Sequence, residues 1–130
     1  MRICLSDSFF IFAVVMKRPE TTNELNRARA QKVQEYIRRH YGQDLTLSLL
    51  AEQVNLVPTS LCHVFKQVTG QRVSDYIIQV RIIQATRLLR ETDQEVQLIA
   101  YECGFNTQTN FNRYFKRLMG CTPTEYRSQK

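Results

Sequence analysis

Metal-ligand spacing is missing from this chain. Its four cysteines, Cys4, Cys62, Cys103 and Cys121, stand far apart with no C-x-x-C pair. Neither a zinc module nor a dense disulfide framework is legible, and reduced thiols in a cytosolic protein are expected. Histidine is almost absent: only His40 and His63 occur, and neither has a carboxylate or nucleophile at a telling spacing. No catalytic residue, metal or cofactor is therefore expected, and the chain is not read as an enzyme. His40 is read as closing a helix, where a cation is favoured. Spanning apolar segments are lacking too. The run Phe9 to Met16 (FFIFAVVM) has eight residues, whereas a membrane-spanning helix needs about 20, so no membrane association is expected. A secretory signal would end in a small-residue cleavage site. None appears here; Asp7 precedes the run and Lys17-Arg18-Pro19 follows it. A remnant of an upstream domain and a true start at Met16 both stay open as origins of this run.

What is present suits a small folded domain with a polyanionic partner. The chain has 130 residues, enough for one domain or two very small ones sharing a core. At 43% hydrophobic it is not a disordered composition. Its net charge of +6 and pI of about 9.4 fit nucleic acid or an anionic membrane surface.

The sequence also repeats itself. Residues 50–76 (LAEQVNLVPTSLCHVFKQVTGQRVSDY) align with residues 99–126 (IAYECGFNTQTNFNRYFKRLMGCTPTEY). Ala51 matches Ala100, Asn55 matches Gly104, Leu61 matches Phe111, Phe65-Lys66 matches Phe115-Lys116, Gly70 matches Gly120, and Tyr76 matches Tyr126. The offset is 49 residues at the front and 50 at the back, so the second copy holds one extra residue. Such a period marks one supersecondary unit used twice.

Apolar spacing reads as helical throughout from residue 27 on. A first helix is expected over Arg27–His40, carrying Ala30, Val33, Tyr36 and Ile37, with Tyr41-Gly42 ending it. Thr46 caps a short helix, Leu47–Val54, with Leu47, Leu50, Ala51 and Val54 on one face. Pro58–Thr69 follows, stopped by Gly70. The helix Val73–Arg90 carries a stripe of Val73, Tyr76, Ile77, Val80, Gln84 and Leu88. The second copy gives Glu95–Cys103, Thr107–Met119 and a last turn at Thr122-Pro123-Thr124-Glu125, whose Thr-x-x-Glu is a capping-box pattern. The expected organisation is a poorly ordered extension 1–26, a first helix-turn-helix 27–72, a linker helix 73–90 and a second helix-turn-helix 91–130. The fold class is all-α.

Each copy meets the local demands of a helix-turn-helix. Ala51 and Ala100 are small where two helix backbones cross. Asn55 and Gly104 tolerate positive φ where the chain turns. Leu61 and Phe111 pack the second helix back on the first. On the second helices, Leu61, Phe65 and Val68 point inward, as do Phe111, Phe115 and Leu118. The opposite arcs hold Thr59, Ser60, His63, Lys66 and Gln67, and Thr109, Asn110, Arg113, Lys116 and Arg117. Neither arc contains a carboxylate, although the chain has 12 acidic residues; DNA contact is the expectation. A linker of about 18 residues at ~1.5 Å rise spans roughly 27 Å, and adjacent major-groove segments lie about 34 Å apart.

These residues resemble the DNA-binding domain of the AraC/XylS family of bacterial transcription regulators. The likeness runs from about Val33 to Arg127 and is densest in IAYECGFNTQTNFNRYFKRLMGCTPTEYR. It includes Ile99-Ala100, Gly104-Phe105, Phe111, Phe115-Lys116, Gly120, Pro123 and Tyr126-Arg127, with Arg81, Ala85 and Leu88-Leu89 in the linker. The resemblance implies a sequence-specific transcription regulator, an activator by family precedent. It would act as a monomer on double-stranded promoter DNA, with recognition helices in successive major grooves and RNA polymerase as a second partner, in the bacterial cytoplasm at the nucleoid. It also places contacts on Thr59, Cys62 and His63, and on Gln108, Thr109, Asn112 and Arg113. Two departures stand out. Val57 replaces the usual Ser or Thr cap of the first recognition helix, and the arginine often found near that helix's end is missing. The second unit is therefore expected to supply more base discrimination, and the first helix to fray until DNA orders it. Two further expectations are a short family member lacking a sensor domain, or a fragment of a longer regulator. The alternative function is a fold-alike module that binds a partner regulator or polymerase without specific DNA binding.

Overall fold

Capping residues and stop glycines at several helix ends, with apolar stripes between them, direct the local structure. The computed structural model describes residues 18–129, with side chains from residue 23 on. Among these residues it contains seven helices and no strand. They are α1 (Arg18–Arg39), α2 (Leu47–Glu52), α3 (Pro58–Thr69), α4 (Val73–Glu91), α5 (Val96–Glu102), α6 (Gln108–Met119) and α7 (Pro123–Ser128). The first helix begins at Arg18 rather than at the expected Arg27. The apolar run, Cys4 and the expected disorder of residues 1–17 lie outside the described residues.

Two apolar cores form, one per repeat. The first gathers Ala30, Val33 and Ile37 of α1, Leu50 and Ala51 of α2, Leu61 and Phe65 of α3, and Val73, Tyr76, Ile77 and Val80 of α4. The second gathers Ile82, Ala85 and Leu89 of α4, Ile99 and Ala100 of α5, and Phe111 and Phe115 of α6, with Cys103 and Phe105 from the turn. The helix α4 thus serves both. At 100° per residue its first buried set (73, 76, 77, 80) and its second (82, 85, 86, 89) point about 180° apart. This corrects the single stripe expected on it: Gln84 and Leu88 are only half-buried, while Ile82, Ala85, Thr86 and Leu89 are buried.

The turns follow their sequence marks. Asn55 sits at φ 58° and Gly104 at φ 96°, both left-handed. In each turn the next amide donates back across five residues: Leu56 N–H to the Ala51 carbonyl and Phe105 N–H to the Ala100 carbonyl, both 3.0 Å. This is the Schellman arrangement, closed in one copy by asparagine and in the other by glycine. The glycine Gly42 behaves otherwise than expected. Its φ is not positive; a Cβ there would lie 2.5 Å from the Glu102 carbonyl oxygen, so close backbone approach between the two halves is what requires it.

Candidate nucleic-acid interface

The second helix of each unit, α3 and α6, is oriented by what its neighbours bury. On α3, Leu61, Val64 and Phe65 are inside; on α6, Phe111 and Phe115 are inside and Tyr114 is half-buried. Val68 and Leu118, expected inward, are 37% and 47% exposed. They lie on the right stripe, but in the last turn of a 12-residue helix whose partner in the motif is only six or seven residues long. Leu47 is likewise 40% exposed rather than buried with Leu50 and Ala51.

Every residue expected to face DNA lies outside the cores. On α3, Thr59, Cys62, His63, Lys66 and Gln67 are exposed and Ser60 is half-buried. On α6, Thr109, Asn112, Arg113, Lys116 and Arg117 are exposed, with Gln108 and Asn110 half-buried. Neither helix contains an acidic residue. The ion pairs Arg39–Glu35 and Arg87–Glu91 lie elsewhere, and none of Lys66, Arg113, Lys116 and Arg117 forms an ion pair among the described residues.

The helix starts differ. Thr107 accepts a hydrogen bond from the Asn110 amide at 3.1 Å and closes the first turn of α6. Val57 has the extended backbone of a cap (φ −81°, ψ 157°) but no side-chain hydrogen bond, and only Pro58 at the first helical position favours the start of α3. Both helices end on a left-handed glycine, Gly70 at φ 81° and Gly120 at φ 83°.

Sequence reasoning missed Tyr114. Its ring packs near Phe105, at 6.2 Å between centroids, and carries two guanidinium groups: Arg113 at 5.0 Å and Arg117 at 5.3 Å from the ring centre. Cation–π attraction holds both arginines on the outward face. The aligned position in the first repeat is Val64, where no such platform exists. The three-residue spacing from Tyr114 to Arg117 was the available signal, whereas Arg113 is the adjacent residue.

Two arginines act as clamps rather than readers. Arg127 of α7 donates to the carbonyls of Leu89 (3.2 Å), Thr92 (3.1 Å) and Gln94 (2.7 Å), which fastens α7 to the end of α4. Arg81 of α4 donates to the carbonyls of Tyr41 (2.7 Å) and Gln43 (2.8 Å). Burial lowers Arg81 from its ordinary value, opposed by nearby Asp44 and Cys103. The Cys103 thiol is fully buried, and desolvation, assisted by Glu102 and opposed by Arg87 and Arg81, pushes it up to about 12. It is a core residue, not a reactive thiol. Among the described residues no group of three His, Cys, Asp or Glu side chains could hold a metal, and no helix is long and apolar enough to cross a membrane.

Paired helix-turn-helix units with cationic, carboxylate-free outward helices define a tandem DNA-binding fold. The chain belongs to the AraC/XylS family of transcription regulators, which is not an enzyme class: a family model described as a helix-turn-helix domain matches residues 50–129. The transcriptional activator RhaR of Mannheimia succiniciproducens is 27% identical over 129 residues, covering 96% of this chain and 47% of that protein. The activator RhaS of Enterobacter sp. (strain 638) is 30% identical over 122 residues, covering 92% of this chain and 44% of that protein. The chain therefore spans less than half the length of these curated relatives. Among solved structures, the C-terminal domain of the response regulator AraT from Geobacillus stearothermophilus matches with TM-score 0.75 and 33% identity, over 78% of this chain and 85% of that one. The DNA-binding domain of AdpA, solved with a target DNA, matches with TM-score 0.73 and 26% identity, over 77% and 90%.

Proposed function

We propose that this domain binds specific double-stranded promoter DNA as a monomer, with α3 and α6 in successive major grooves, and activates transcription. The observation that carries the reading is the pair of outward helix faces, free of carboxylates and of ion pairs, on two units that each have a core. Thr59, Ser60, Cys62, His63 and Lys66 are the contacts assigned to α3. Gln108, Thr109, Asn110, Asn112, Arg113, Lys116 and Arg117 are those assigned to α6. A helix-turn-helix dimer brings two reading helices from two chains; here one chain supplies both, which supports the monomer. Activation is supported by the activator names of the relatives; RNA polymerase as the second partner and the bacterial cytoplasm as the location belong to the same proposal.

Arg113 and Arg117 are the guanidinium groups of the two helices, and a guanidinium can grip guanine O6 and N7 together. The second unit is the main base reader. A genome-wide DNA selection with the purified chain, at two salt concentrations, tests the whole. One enriched motif with two blocks about a helical turn apart is the expected result. Steeply salt-dependent binding with no motif would leave only phosphate contact and overturn specific recognition. Silent neutralisation of Arg113, Lys116 and Arg117 would point instead to a partner-binding module.

A further inference from the structure

A shared helix is not the only connection between the two units. The loop after α1, residues 41–43, belongs to the first unit by sequence yet is seated against the second. The Tyr41 ring packs on both cores. The Gly42 backbone meets the Glu102 carbonyl at the end of α5 so closely that no side chain fits between them. The second unit's turn contributes Gly104, where a Cβ would lie 2.7 Å from both the Arg81 Nε and the Tyr41 carbonyl oxygen. At the centre of this seam is Arg81, half-buried, with its planar fork spread over the carbonyls of Tyr41 and Gln43. The other clamp, Arg127, joins only parts of the second unit. Arg81 instead holds first-unit backbone at the boundary.

We propose that Arg81 is a positioning residue that fixes the distance and angle between the two reading helices, and so the spacing between the two DNA blocks that the protein accepts. The inference rests on the DNA reading above. Three features support it: the fork needs two carbonyls held 2.7 and 2.8 Å from one guanidinium, the carbonyls come from a loop pinned by Gly42, and the far wall is Gly104. Removing the fork frees the loop from α4 while both cores stay intact, because Arg81 belongs to neither. Each unit would then read its own block unchanged but tolerate the other block at several phases.

The test is selection on a library holding both blocks with the intervening length varied by single base pairs. Each added pair turns one block about 35° around the axis relative to the other. The native chain should lose at least about tenfold in affinity per step, as for a missed block contact. Arg81→Ala should lose less than about threefold, with the base preference inside each block unchanged. Gly42→Ala, which wedges the same seam without touching Arg81, should do the same and covers the case in which Arg81→Ala fails to fold. Arg81→Lys should recover part of the selectivity, since an ammonium reaches one carbonyl but lacks the planar fork. Residual dipolar couplings of the free protein give a second readout: one alignment tensor should fit both units natively, and two should be needed in the variants. Variants that keep a single preferred spacing and a single tensor overturn the proposal. A native chain that selects no two-block motif overturns the DNA reading, while the couplings still decide whether Arg81 fixes the two units.

Discussion

The two repeats share a backbone plan and divide their side chains unequally. In the first, α3 starts at an uncapped Val57, carries Lys66 as its sole Lys or Arg, and packs through Leu61 and Phe65. In the second, α6 starts at a capping Thr107, carries Arg113, Lys116 and Arg117, and packs through a ring cluster of Phe105, Phe111, Phe115 and Tyr126. Positions that set the turn are interchangeable, as Asn55 and Gly104 show with their near-identical hydrogen bonds. Positions facing outward are not. The two units share the geometry of the turn and differ in the side chains of their outward faces. The fold demands only a small residue, a left-handed turn and an apolar anchor, which leaves the outer face free to change.

The largest expected effect probes the anchors. Phe111→Ala should cost about 3–5 kcal/mol of stability by denaturant unfolding, and Leu61→Ala about 2–5. The second should sit at the lower end if the aromatic cluster is the tighter core; equal costs would break that contrast. Next comes reading. Arg113→Ala should remove about 1–3 kcal/mol of discrimination at one base pair, measured by binding to a panel of single-base variants. Replacing its counterpart, His63→Ala, should flatten no position as strongly. A larger loss from His63 would reverse the assignment of the second unit as principal reader.

The caps offer a reciprocal exchange of about 1 kcal/mol. Val57→Thr supplies the first reading helix with the hydroxyl that α6 already has, and thermal unfolding should show a gain of about that size; Thr107→Val should show the matching loss. The smallest effect at neutral pH is Cys103→Val, which copies into the second unit the Val54 of the first. The Cys103 thiol is raised from 9.0 to about 12 in the folded chain. A raised acid keeps its proton in the folded state, so its contribution is full below pH 9 and is lost as pH rises from 9 towards 12. The variant should therefore lose less stability than the native chain across that window, and differ little at pH 7. Parallel curves would remove burial of the thiol as a difference between the cores.

Much of this was legible in sequence because the signals are local. The bounds of α3 match those expected from Pro58 and Gly70, and the capping box at Thr122 and Glu125 is formed in both directions, at 3.0 and 3.1 Å. Periodicity separated the outward arcs from the anchors, since a 3.6-residue repeat needs no knowledge of the partner. It went wrong where burial depends on how far a partner extends, as at Val68, Leu118 and Leu47. It also missed the platform under Arg113 and Arg117, because Tyr114 reads equally well as an ordinary flank of the core.

By itself, the sequence determined the helices, the two left-handed turns, the stop glycines and the cationic faces, each set by residues within a few positions of one another. Only the tertiary structure decided that α4 presents opposite faces to the two cores, that Gly42 is small because Glu102 approaches it, and that Arg81 holds a loop about 40 residues away in sequence. A helix stripe shows which side is apolar but not which neighbour covers it. Contacts between units depend on where two separately packed bodies come to rest, and no short-range pattern records that position.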